Sequence, residues 1–151
     1  MIRSALILAS LLAATSAQAG DLGDAVAATP PEAPPEAGEG SPASVFAARE
    51  MEWSDTGVGR RTQLMDEPTR TLSQLEIHIT TLDPGETSHA PHRHPNEEVV
   101  VLREGELEVY VNGETKRIGP GSVMVFLSGD WHSVNNVGTV PATYEVINFH
   151  P

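Results

Sequence analysis

The chain has 151 residues, which is room for one ordinary domain and not for a second catalytic one. It carries 9 Lys and Arg against 21 Asp and Glu, a formal net charge of −12, and so lacks the basic face that nucleic acid or an anionic membrane needs. It has 0 cysteines, which excludes a disulfide, a thiolate metal site and a thiol nucleophile; any metal must sit on His, Asp or Glu.

The opening stretch has one cation at Arg3, an apolar run over residues 5–14 and the small-x-small sequence Ala17-Gln18-Ala19. That order predicts a secretory signal peptide over residues 1–19. The apolar run is shorter than the about 20 residues a spanning helix requires. No cysteine follows to take a lipid, and no second arginine stands beside Arg3, so export of an unfolded chain to the periplasm or medium is expected. Membrane association is not expected after signal removal. Residues 20–44 turn to Pro, Ala, Glu and Gly and lack the apolar side chains that offset the entropy of ordering; they read as a disordered, extended linker. The folding unit is then 45–151.

Residues 45–51 are a weak helix candidate, with a short first strand as the alternative. Leu75, Ile77 and Ile79 alternate with Glu76, His78 and Thr80, a period of two that predicts a strand whose apolar row is buried. His78 would then sit on the exposed face. Asp83-Pro84-Gly85 is a turn. A continuous apolar run follows over 99–102, read as an exposed edge. Leu107, Val109 and Val111 then alternate with Glu106, Glu108 and Tyr110 up to Asn112-Gly113. Asn-Gly between strands predicts a type I′ hairpin, because both central residues of that turn need positive φ. The return strand is 114–118, and after Gly119-Pro120-Gly121 come strands over 122–127 and 143–149, separated by a turn at Ser128-Gly129-Asp130. Many short strands with Gly and Pro turns indicate an all-β sandwich or barrel.

The chain has 6 histidines, and His89, His92, His94 and His132 fall in or beside turns. His92 and His94 are two apart, so on an extended chain they project to one side. Glu98 keeps that parity and adds an oxygen donor. Imidazole and carboxylate together suit a divalent ion of intermediate softness.

These residues fall into two ordered motifs. Gly85, His92, His94, Glu98 and Gly105 make the first; Gly121, Leu127, Gly129, His132 and Asn136 make the second. Together they resemble the cupin superfamily, with two departures: the gap from Gly85 to His92 is one residue longer than usual, and Leu127 stands where proline is expected. The resemblance covers about residues 75–149. It implies a single cupin-type β-barrel of the double-sheet jelly-roll kind, with His92, His94, Glu98 and His132 as ligands to one divalent transition metal. Manganese, iron, nickel, copper and zinc all suit such a donor set.

Three neutral imidazoles and one carboxylate leave a divalent ion with net charge +1 and, in octahedral geometry, two open positions. Two readings follow. One is an enzyme with dioxygenase, decarboxylase, isomerase or epimerase chemistry of the kinds found among cupins; the other is a non-catalytic module binding a metal or small ligand. No catalytic residue is identifiable beyond the ligands. His89 is a loop residue that either meets solvent or shuttles protons. Glu97 and Arg93 have the wrong parity and should point away from the metal. Glu76 and Arg103 are candidate polar groups on the pocket wall, and Trp131 a candidate wall of its mouth. His150 has no assigned role. A small molecule is the expected partner, and the resemblance also implies a homodimer formed through strands or barrel faces.

Overall fold

The computed structural model describes residues 40–41 and 44–151. The expected signal peptide and nearly all of the expected linker lie outside the described residues. A single 3₁₀ turn, Ala48–Glu50, buries none of its side chains, so neither a helix nor a strand forms at 45–51. The chain then runs through strands β1 (Ser54–Asp55), β2 (Gly59–Glu67), β3 (Gln74–Leu82), β4 (Glu97–Glu104), β5 (Leu107–Val111), β6 (Glu114–Ile118), β7 (Val123–Phe126), β8 (His132–Asn136) and β9 (Ala142–His150). They form two antiparallel sheets, ordered β1-β2-β3-β9-β4-β7 and β6-β5-β8. This is the expected all-β double-sheet jelly roll. β2 and β8 escape the sequence pattern because GRRTQLMDE and HSVNN show no clean alternation.

The apolar core fills one part of the barrel. It comprises Leu82, Val100, Leu102, Leu107, Val109, Met124, Phe126, Val134, Ala142, Tyr144 and Val146. Elsewhere the interior is polar, and this inverts one expectation. On β3 it is Glu76, His78, Thr80 and Leu82 that line the internal cavity, and Leu75, Ile77 and Ile79 lie half-buried on the opposite face. A two-residue period identifies two faces of a strand; it does not say which is inside. The run at 99–102 is corrected too. β4 is not an edge but lies between β9 and β7, with Val100 and Leu102 in the core and Val99 and Val101 on the outer face.

The hairpin forms as predicted. Asn112 has φ 47° and Gly113 φ 96°, and Val111 pairs with Glu114 across them. Gly105 has a second reason to be glycine: besides φ 82°, a Cβ there would lie 2.6 Å from Ala142 Cα, at the irregularity where β4 leaves β9. Asn136 is a structural residue. Its buried amide donates to Leu82 O at 2.8 Å and Val140 O at 2.9 Å, and accepts from Gly138 N at 3.0 Å.

These contacts separate two glycine substitutions. Gly113→Ala meets nothing within 4 Å and carries only the backbone penalty, about 1–2 kcal/mol. Gly105→Ala adds a clash with packed backbone and should lose a further about 1–3 kcal/mol. Urea unfolding of the two variants checks the order; equal losses would contradict it.

Candidate metal centre

Two distant stretches of sequence are laced together by backbone. His92 and His132 form an isolated antiparallel bridge, His92 N donating to His132 O at 3.1 Å and His132 N to His92 O at 2.9 Å. Thr87 and Asn135 form a second bridge, and Gly129 N donates to His94 O at 2.9 Å. The β5–β6 hairpin steadies the far side. The Asn112 side chain donates to Asp130 Oδ1 at 2.7 Å and accepts from Trp131 N at 2.9 Å, fixing the turn that delivers His132. His92 and His94 are thus held by a bridge and loop rather than by one continuous strand. Glu98 arrives on β4, paired with Asn148 of β9 and Phe126 of β7.

The three imidazoles converge. One nitrogen from each of His92, His94 and His132 lies within 4.8 Å of the others. Ring centroids are 4.5 Å apart for His92 and His132, and 4.8 Å for His94 and His132. Phe126 stacks on the His132 ring at 4.2 Å, which restricts its rotation. Glu98 Oε2 lies 3.3 Å from His94 Nε2. The Nδ1 of His94 sits 2.9 Å from Asn96 O, and that of His132 sits 2.9 Å from Asp130 O. A carbonyl accepts only, so both rings carry their proton on Nδ1 and present a bare Nε2. Those two Nε2 atoms and His92 Nδ1 are buried without hydrogen-bond partners. Unpaired buried nitrogen is expensive. The bare Nε2 atoms of His94 and His132, a nitrogen of His92 in the same cluster and a carboxylate beside them are what a divalent cation of the zinc or iron type satisfies, so the donor set fits a metal.

Electrostatics agree. Burial, then the neighbouring histidines His89, His132 and His94, push His92 down to about 4, so the ring is neutral and able to donate its lone pair. Burial likewise lowers His132, against the opposing effect of the Asp130 carbonyl. Burial raises Glu98, opposed by His94. A cation would lower the cost of that buried carboxylate.

The remaining candidates separate cleanly. His89 is exposed, with its ring centroid 4.0 Å from that of His92. Glu97 is exposed, and Arg93 turns outward over the Trp131 ring at 5.3 Å. Arg103 pairs with Glu145 at 2.7 Å and does not line the cavity, so it is not a wall residue; Glu76 is one. His78 is buried at 8 % exposure and lines the same cavity, contrary to the exposed position expected for it. The cavity, of about 400 Å³, is also lined by Arg61, Asn96, Tyr144, Asn148 and His150, none of them singled out from the sequence. The parity His78 shares with Glu76 was the available signal.

Comparison with known proteins agrees with this fold. The family model described as Cupin domain matches residues 78–148, just under half of the chain. No curated protein matches. Among solved structures, KdgF from Halomonas sp. is 20% identical with a TM-score of 0.61, covering 73% of this chain and 96% of its own. An RmlC-like cupin from Shewanella frigidimarina is 20% identical with a TM-score of 0.61, covering 74% of this chain and 94% of its own. A predicted oxalate decarboxylase from Thermotoga maritima is 18% identical with a TM-score of 0.59, covering 72% of this chain and 100% of its own. At these identities the likeness is one of fold.

The lowered histidines make a stability prediction. His78 and His92 titrate near 4 in the folded chain against 6.5 when free, so the unfolded chain takes up protons first as pH falls. Their contribution is complete above about pH 6.5 and is lost progressively down to about 4. Glu98, raised from 4.5, has the opposite sign and is outnumbered. The urea midpoint of chelator-treated protein should therefore drop between pH 7 and pH 5, with a shallower drop in His78→Gln. A flat or rising midpoint would contradict the assignment.

Proposed function

We propose that this cupin domain is an exported, metal-dependent enzyme acting on a small molecule, with one divalent transition metal held by His92, His94, Glu98 and His132. The observation that carries the reading is the convergence of one nitrogen from each of His92, His94 and His132 within 4.8 Å, with Glu98 beside His94. A divalent ion held there supplies Lewis acidity toward a coordinated oxygen. The protein's own part is distinct. The carbonyls of Asn96 and Asp130 fix two of the tautomers. One carboxylate leaves the centre with excess positive charge, which favours an anionic or polyhydroxylated ligand. Tyr144, pushed up to about 12 by burial, keeps its proton on the cavity wall. The cavity is of a size for a small metabolite. A polar interior that sets the imidazole of His78 beside the carboxylate of Glu76 supplies the kind of pair that general acid–base chemistry uses, which favours turnover.

Export rests on Arg3, the apolar run and Ala17-Gln18-Ala19. Protein recovered from the periplasm or medium should begin at Gly20 by intact mass and carry about one equivalent of metal. His92→Ala and Glu98→Gln should each weaken zinc binding at least about tenfold, since even outer-sphere changes have that effect. Unchanged metal content in both variants would contradict the ligand set.

We further propose that two copies pair through the outer face of the larger sheet. Met65, Ile77, Ile147, Val99 and Val125 form one apolar row in register across five strands. A row of this extent, with Val123 and Val125 more than half exposed, exceeds the scattered apolar residues normal on a monomer. A second copy can match it because a two-fold interface apposes like with like. Light scattering should give a dimer mass, and Val125→Glu a monomer with its zinc retained. A monomeric wild type would exclude the pairing.

A further inference from the structure

Three inward side chains stand abreast across the larger sheet. Glu76 on β3, Asn148 on β9 and Glu98 on β4 are direct partners in register, and all three line the cavity. Residues opposite one another on neighbouring strands share a face, with Cβ atoms about 4.5–5.5 Å apart. The row therefore sets one amide between two carboxylates, of which Glu98 is the candidate metal ligand.

The orientation of that amide is forced. Asn148 Nδ2 donates to Glu76 Oε2 at 3.1 Å, and an ionised carboxylate only accepts. Turned the other way, the amide would bring its oxygen against carboxylate lone pairs in a low-dielectric interior, which is repulsive. Asn148 thus turns Nδ2 toward the carboxylates and Oδ1 away from them. Oδ1 accepts from Asn96 Nδ2 at 2.8 Å, a bond between residues only 8 % and 4 % exposed. Asn96 is held in turn, because its carbonyl accepts from His94 Nδ1 at 2.9 Å.

Glu98 needs such a neighbour. Its Oε2 lies 3.3 Å from His94 Nε2, the nitrogen that carries no proton once Nδ1 donates to Asn96. Without a cation between them, two sets of lone pairs face each other there, and the carboxylate is pushed away from the imidazoles. An amide nitrogen has two N–H bonds. Glu76 takes one, and the other is directed to Glu98 across the row. Burial raises Glu98, and the Asn148 amide is among the groups that oppose that rise. Glu76 has a second anchor, since Arg61 donates to its Oε1, so it braces Asn148 from the neighbouring strand.

We propose that Asn148 is a positioning residue of the metal centre, its amide holding Glu98 turned toward His92, His94 and His132 so that this carboxylate serves as a ligand. The inference rests on the metal-centre reading. An amide suits the place because it donates to two anions and carries no charge of its own. An aspartate there would repel both, and an apolar residue would leave Glu98 to swing away.

Zinc affinity of the full chain, measured by competition with a chelating dye, tests this as a double-mutant cycle. Asn148→Leu keeps the size of the side chain and removes its donor. It and Glu98→Ala should each weaken zinc binding at least about tenfold. The double variant should bind no more than about twofold more weakly than Glu98→Ala, because the amide matters only while Glu98 is there to be held. In cobalt-loaded protein, the visible absorption of Asn148→Leu should move toward that of Glu98→Ala, the sign of a lost oxygen donor. Asn148→Ser, too short to reach Glu98, repeats both measurements should the leucine variant not fold. Wild-type zinc affinity in the Asn148 variants, or a loss as large in the Glu98→Ala background as in the wild type, would overturn this proposal alone. Undiminished zinc affinity in Glu98→Ala, or a wild type that binds no zinc, would overturn the ligand reading together with it.

Discussion

The reciprocal backbone hydrogen bonds between His92 and His132 are the constraint on which the rest of the site depends. They join a loop that belongs to neither sheet to β8, whose partner strands are in the smaller sheet. With the Thr87–Asn135 bridge and the Gly129 to His94 hydrogen bond, that bridge laces the first motif to the second. With it, three rings are forced within 4.8 Å of one another at their donor atoms, at the expense of three buried nitrogens that no protein group satisfies. Folding tolerates such a cluster only if the rings stay neutral, and burial ensures that they do at His92 and His132.

The barrel can accommodate a polar interior because its apolar core is displaced. Residues such as Leu82, Leu102, Leu107 and Phe126 are essentially inaccessible to solvent and hold the sheets together. The rest of the inner surface is free to carry Arg61, Glu76, His78 and Asn148, each tied into hydrogen bonds or ion pairs rather than packing. Those ties matter for chemistry: side chains locked by one another present their free atoms in a fixed direction. The network runs unbroken from Arg61 on β2 through Glu76 and Asn148 to Asn96, the residue whose carbonyl orients His94. The candidate metal centre and the Glu76–His78 pair are therefore two ends of one hydrogen-bonded assembly.

Much of the fold was legible because its signals are local. The Asn112-Gly113 turn, the Gly and Pro punctuation and the alternation over 107–111 each translate directly into backbone geometry. The histidine and glutamate spacing was legible through resemblance to a family, and the three histidines do meet. What failed was orientation. The row Leu75, Ile77, Ile79 reads as a core face, yet in a barrel that encloses a polar cavity the hydrophilic row turns inward and the apolar row remains outside. The same cause hid His78. β2 and β8 were invisible because their residues are chosen by tertiary partners: Arg61 by Glu76, and His132 by His92. No period of two survives that kind of selection.

The central claim is that four donors from three segments surround one cation. Anomalous diffraction from crystals of zinc-loaded protein, collected across the zinc absorption edge, tests it most directly. The account predicts a single strong peak bounded by the rings of His92, His94 and His132 and the carboxylate of Glu98, at about 2.0–2.2 Å from each donor. A peak held by other residues, or none at that cluster in fully loaded protein, would contradict it.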